Sequence, residues 1–147
     1  MDSGDTVGII GGFGGMGRLF SAVFERAGYK VLCSGRKTPV SNAEIASTCD
    51  IVIVSVPIRD TVRVIGEIAP LLSEEQVLCD LTSIKTAPVK AMLRSKAQVI
   101  GLHPMFGPSV PTIFGQTIAA SPVRCDEKTR DMLYQIFTNE GAKICQM

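Results

Sequence analysis

An apolar run, Val7-Gly8-Ile9-Ile10, passes straight into Gly11-Gly12-Phe13-Gly14-Gly15-Met16-Gly17, and this junction constrains the fold more than any other feature of the chain. Gly12, Gly14 and Gly17 satisfy G-x-G-x-x-G between a strand pattern and a helix pattern. Gly12 is expected to permit the tight turn, Gly14 to leave no Cβ in the way of an approaching diphosphate, and Gly17 to let the helix pack close to the strand. The following helix, read over 15–27, carries Met16, Leu19, Phe20, Val23 and Phe24 at helical spacing and stops at Gly28, which suits a left-handed cap. Its unpaired N–H groups favour an anion without any basic side chain. A P-loop is excluded, because no G-x-x-x-x-G-K-[ST] occurs.

Further short runs rich in Val and Ile recur at 30–33, 51–56, 77–81, 98–102 and 117–120, with a last one at 142–145. Continuous apolar character, as in Ile51-Val52-Ile53-Val54, means that both faces of a strand are covered, which points to a parallel sheet between helical layers. Helices are expected at 42–48, 59–68, 86–94 and 126–137, the last with Asp126 as N-cap and Met132, Leu133, Ile136 and Phe137 on one face. The fold class is therefore α/β: a Rossmann-type, doubly wound, mostly parallel sheet with helices on both faces. With 147 residues, no repeat and no linker, one dinucleotide-binding domain over 1–147 is expected. The Pro- and Gly-rich stretch 104–116 is the longest irregular segment and a natural loop beside a site.

Charge and cysteine content exclude several other functions. Fifteen Lys+Arg against fourteen Asp+Glu give a net charge of +1 with no basic block, so no nucleic-acid partner is expected. The five cysteines, at 33, 49, 79, 125 and 145, form no CxxC pair, which argues against a disulfide framework or a zinc site, and no metal ligands are assigned. Cys33, Cys79 and Cys145 lie in apolar runs and are expected to be buried and inert. Residues 1–5 carry two acids and no basic region, and the apolar runs are too short for a bilayer, so a cytoplasmic protein with no membrane partner is expected.

The end of the second strand offers no acid for a ribose 2′-hydroxyl. It offers Ser34-Gly35-Arg36-Lys37, with Ser34 seventeen residues after Gly17 (34 − 17). A hydroxyl followed by two cations suits a 2′-phosphate, so NADP is expected in preference to NAD, with Ser34 donating and Arg36 and Lys37 pairing the phosphate. The expected coenzyme-binding set is Gly12, Phe13, Gly14, Gly15, Met16, Gly17, Ser34, Arg36 and Lys37, with Ser55, Val56 and Pro57 after the third strand. The single histidine, His103, follows the fifth strand at its carboxyl end, and Ser55, Pro57, Asp80, Thr82, Ser83 and Lys85 reach the same edge. A neutral imidazole there can accept a proton from a substrate hydroxyl while hydride leaves the adjoining carbon. Hydrolytic motifs such as G-x-S-x-G and H-E-x-x-H are absent.

Four blocks, in order, resemble the nucleotide-binding domain of the prephenate/arogenate dehydrogenase family. They are Val7 through Gly17, Asp50-Ile51-Val52-Ile53-Val54-Ser55-Val56-Pro57, Asp80-Leu81-Thr82-Ser83-Ile84-Lys85, and His103-Pro104-Met105-Phe106-Gly107-Pro108. The resemblance implies oxidative decarboxylation of prephenate or arogenate in tyrosine biosynthesis. It implies that His103 accepts the proton of the ring hydroxyl and that Ser83 hydrogen-bonds that hydroxyl and orients the imidazole. It also implies a C-terminal helical domain that supplies a carboxylate-binding arginine and the homodimer contact, so an incomplete substrate site is expected over these 147 residues. Arg59 and Lys85 are candidates to substitute in part for that arginine, but are read first as solvated surface cations. Two other readings stay open. One is an NADP oxidoreductase of the 3-hydroxyacid or imine reductase type with a lysine base, where Lys85 would matter more; the other is a non-catalytic NADP-binding domain.

Overall fold

The computed structural model describes residues 6–147, so the sequence reading of residues 1–5 lies outside the described residues. The chain runs β1 (Thr6–Ile10), α1 (Gly15–Arg26), β2 (Lys30–Ser34), α2 (Asn42–Thr48), β3 (Ile51–Val54), α3 (Ile58–Ile68), β4 (Val77–Asp80), α4 (Thr86–Met92), β5 (Gln98–Pro104), β6 (Thr117–Arg124), α5 (Glu127–Asn139) and β7 (Lys143–Gln146). The strands form one sheet in the order β2-β1-β3-β4-β5-β6-β7. The first five strands are mutually parallel; β6 runs antiparallel to β5, and β7 pairs parallel with β6.

Period-two alternation divides the core into two halves. Ile51 and Ile53 of β3 face Phe20, Val23 and Phe24 of α1 and Leu133, Ile136 and Phe137 of α5. Val52 and Val54 face Ile45 of α2, Val64, Ile65 and Ile68 of α3, and Met92 at the end of α4. Phe20, Phe24 and Phe137 are fully buried and meet edge to face, with centroids 5.7 and 5.9 Å apart. Truncating one of these rings to alanine costs about 3–5 kcal/mol. Helix starts follow the capping chemistry: Ser41 accepts from the Glu44 N–H, and Asp126 accepts from the Thr129 N–H at 2.7 Å.

Two strands extend past their sequence-expected ends. β4 pairs with β5 only as far as Asp80 opposite Gly101, but antiparallel β6 carries the ladder on, pairing Leu102, His103 and Pro104 with Ala120, Ala119 and Ile118. His103 therefore sits on a paired strand rather than after one. At its other end β6 reaches Arg124, through a register irregularity that accommodates Pro122. The thiols also divide. Cys79 is buried, and burial pushes its pKa up, whereas Cys145 lies exposed on edge strand β7, because that strand has no neighbour on one side. Among the described residues no helix is long and apolar enough to cross a membrane.

Candidate functional site

β1 connects outward to β2 on one side and has β3 on the other, so a crevice opens beyond the carboxyl ends of β1 and β3. Two clefts meet there. The first, about 500 Å³, is lined by Phe13 and Gly14 of the glycine loop, Gly35, Arg36 and Asn42 at the end of β2, and Ser55, Val56 and Pro57 after β3. The second, about 450 Å³, shares Gly14, Ser55, Val56 and Pro57 and continues over Gly15 and Met16 to Thr82, Ser83, His103 and Phe106. Together they form a continuous trough on both sides of the glycine loop, of a size suited to a dinucleotide with a small substrate at one end.

The glycines divide their work differently from expectation. Gly11, not Gly12, takes the positive φ of 85°, and a Cβ there would lie 2.2 Å from the Ser55 carbonyl oxygen. Gly12 is needed because β2 passes beneath it, where a Cβ would come within 2.5 Å of the Cys33 sulfur. At Gly17 a Cβ would lie 2.5 Å from the Gly11 carbonyl oxygen, so the helix presses directly on the turn. Gly14 differs from all three. A Cβ there meets only the Gly11 oxygen, at 3.5 Å, and the free side faces the trough.

The start of α1 is open. Its N-cap is Gly14, without a side-chain cap, and its first turn contains no acid. The Gly14 N–H closes the loop onto the Gly11 carbonyl at 3.1 Å, and Arg18 donates from Nε to the Phe13 carbonyl at 3.0 Å. The first-turn amides of Gly15, Met16 and Gly17 have no helical carbonyl to meet and remain for a ligand. These residues fit a diphosphate without any charged side chain.

The β2 end corrects one expectation. Ser34 is fully buried and its hydroxyl donates to Asn42 Oδ1 at 2.7 Å, so it is not presented to a phosphate. Arg36 lines the first cleft; Lys37, at φ 53°, does not. Asn42, which the sequence reading missed, spends its carbonyl oxygen on Ser34 and is left with an amide donor at the cleft wall. The carboxylate in that cleft, Asp60, is on the opposite wall, 3.4 Å from Arg63.

On the far side, Ser83 and His103 line the second cleft together, with no hydrogen bond between them among the described residues. Asp80 and Lys85 do not join them. The Asp80 carboxylate is fully buried; Lys85 Nζ donates to both of its oxygens at 2.7 Å and to the Leu102 carbonyl at 2.6 Å. Lys85 is thus no solvated cation. Its side chain is 17% exposed and all three of its donors are engaged. Burial lowers its pKa, against the lifting effect of Asp80. The signal that could have revealed the pair was an acid closing an apolar strand with a lysine five residues on. Arg59 is exposed and lines neither cleft.

Residues 25–146 match the family model described as prephenate dehydrogenase, nucleotide-binding domain. A probable arogenate/prephenate dehydrogenase of Methanocaldococcus jannaschii is 37% identical over 158 residues, covering 95% of this chain and 35% of that one. The T-protein of Haemophilus influenzae is 37% identical over 139 residues, covering 94% and 37%. The chain therefore spans about a third of the length of these relatives. Among solved structures, Synechocystis arogenate dehydrogenase superposes with a TM-score of 0.82 at 19% identity, covering 97% of this chain and 59% of that one. Prephenate dehydrogenase from Aquifex aeolicus, in complex with hydroxyphenyl propionate and NAD+, gives 0.79 at 21% identity, covering 99% and 60%.

Proposed function

The chain belongs to the prephenate dehydrogenase family, through its nucleotide-binding domain, and from that premise we propose that it binds NADP and carries the proton-accepting side of an oxidative decarboxylation of prephenate or arogenate. The observation that carries this reading is the lone histidine, His103, on the paired end of β5, lining with Ser83 the cleft that adjoins the glycine loop. The coenzyme is held by the first-turn amides of α1, with Val56 and Pro57 bordering it and Phe13 over the turn at Gly35. When bound, its nicotinamide accepts a hydride from the substrate carbon that bears the hydroxyl. His103 takes that hydroxyl's proton, and Ser83 holds the same oxygen in place. Loss of CO2 follows as the ring becomes aromatic.

NADP is favoured over NAD by what β2 presents: the Arg36 guanidinium and an Asn42 amide donor, with no acidic side chain in Ser34-Gly35-Arg36-Lys37 to accept from a 2′-hydroxyl. A cytoplasmic location and a homodimer formed through a further domain belong to the same reading. Lys85 weighs against the lysine-base alternative, since its ammonium is saturated by Asp80 and Leu102 and does not line the cleft.

The test is turnover. NADPH formation is followed with prephenate, and with arogenate, using this domain joined to a family substrate domain. His103→Ala is expected to lower kcat by about 100–10,000-fold, the scale of general base catalysis. An active protein that keeps its rate after that change refutes the assignment of the base.

A further inference from the structure

The Asp80–Lys85 pair lies behind the cleft wall, and neither residue touches the space a ligand would fill. Its bonds nevertheless reach the residue immediately before each of Ser83 and His103. The Asp80 carboxylate, at the end of β4, accepts from the Thr82 hydroxyl, one residue before Ser83. Lys85 bonds the Leu102 carbonyl at 2.6 Å, one residue before His103. The Leu102 N–H also approaches Asp80 Oδ1, at 3.4 Å. β5 makes room for this arrangement at Gly101, where a Cβ would lie 3.2 Å from Lys85 Cδ and 3.6 Å from Asp80 Oδ1.

A buried ion pair is a poor way to gain stability, because apolar residues of similar size often serve equally well. What it supplies is direction: three N–H donors and two carboxylate oxygens fix the relative placement of three backbone segments. Parallel pairing between β4 and β5 ends at Asp80 and Gly101, so beyond that point the ladder no longer ties the Ser83 loop to the His103 strand end. We infer that Asp80 and Lys85 are positioning residues that replace the missing ladder and hold Ser83 and His103 in a fixed mutual geometry. This rests on the reading of His103 and Ser83 as the groups that engage the substrate hydroxyl.

The lone histidine makes the test direct, because its imidazole gives one signal with no other histidine to confuse it. The readout is NMR relaxation dispersion of the His103 ring and the Ser83 amide, which senses motion on the microsecond-to-millisecond scale without requiring activity. The double variant Asp80→Asn/Lys85→Met removes both charges together and so avoids stranding one. It is expected to bring His103 and Ser83 into exchange while the Gly15, Met16 and Gly17 amides stay flat. Gly101→Ala, which crowds the Lys85 stem without altering charge, is expected to give a weaker version of the same pattern and serves alone should the double variant not fold. Flat profiles at His103 and Ser83, or exchange spread equally over the glycine loop, would overturn the inference. Failure of the His103→Ala turnover test would instead remove the proton-acceptor role and leave the positioning result standing.

Discussion

On the β1 side of the trough the ligand-facing surface is main chain, and on the β5 side it is side chain. The glycine loop needs no supporting network: Gly11, Gly12 and Gly17 are held by contacts that forbid a Cβ, and the useful groups are amides fixed by the start of a helix. Ser83 and His103 have rotatable side chains, and beneath them lies a buried ion pair bonded to the residues beside each. A backbone site gets its precision from sterics, whereas a side-chain site must be given it by a second layer of polar contacts.

The largest effect is expected on the supported side. Lys85→Met leaves the Asp80 carboxylate buried without a cation, and breaking such a pair costs about 3–5 kcal/mol. Urea unfolding would show this as a lowered midpoint at constant m-value, and the double variant Asp80→Asn/Lys85→Met should recover most of it. Equal loss in the single and double variants would mean that the pair behaves as ordinary packing.

Gly14→Asp probes the other side. Gly14 occupies the N-cap of α1 with extended backbone (φ −77°, ψ 174°) and has room for a Cβ, so aspartate fits there and can cap the helix itself. The protein is expected to keep its melting temperature or gain slightly, while coenzyme affinity falls about 100-fold or more as a fixed carboxylate meets the diphosphate. Calorimetric titration alongside thermal melts separates the two. If stability and affinity fell together, the loop would be as dependent on its surroundings as the β5 side.

The same contrast explains what could be read from sequence. Glycine spacing encodes a steric requirement locally, so the turn and the helix after it were legible, continuous apolar runs made the mostly parallel sheet legible, and α2 falls where the pattern placed it. His103 and Ser83 were legible as polar residues at strand ends. Ser34 misled because a hydroxyl next to Arg36 reads equally as a ligand or as a buried donor, and only the position of α2 brings Asn42 within 2.7 Å. Lys85 misled for the same reason. Its partners, Asp80 and the Leu102 carbonyl, meet it through a tertiary contact that no local pattern contains.

A smaller effect is expected at Arg36, the cation of the β2 turn that lines the first cleft. Arg36→Ala removes a charge-assisted bond worth about 1.5–3 kcal/mol when it faces a phosphate. Binding of NADP should weaken by about tenfold or more, and binding of NAD should change little. Paired dissociation constants test this, and equal weakening of both coenzymes would place Arg36 on the shared part of the ligand.

The smallest effect compares two helix starts. α1 is capped by glycine and has no acid in its first turn, whereas α5 is capped by Asp126, which accepts from the Thr129 N–H at 2.7 Å. That backbone hydrogen bond holds the Asp126 carboxyl below the usual carboxylate range. Because the folded pKa is depressed, the contribution of the cap is complete above the unfolded value of about 3.9 and is lost as pH falls through the lower folded value. Amide exchange at Thr129 should therefore accelerate in acid below that range, while the amides of Gly15 to Gly17 show no matching transition, having no carboxylate to protonate. Asp126→Asn keeps an acceptor oxygen without a titrating group and should abolish the pH dependence while preserving protection. Loss of protection at Thr129 in this variant at neutral pH would show that charge, and not the hydrogen bond, starts α5.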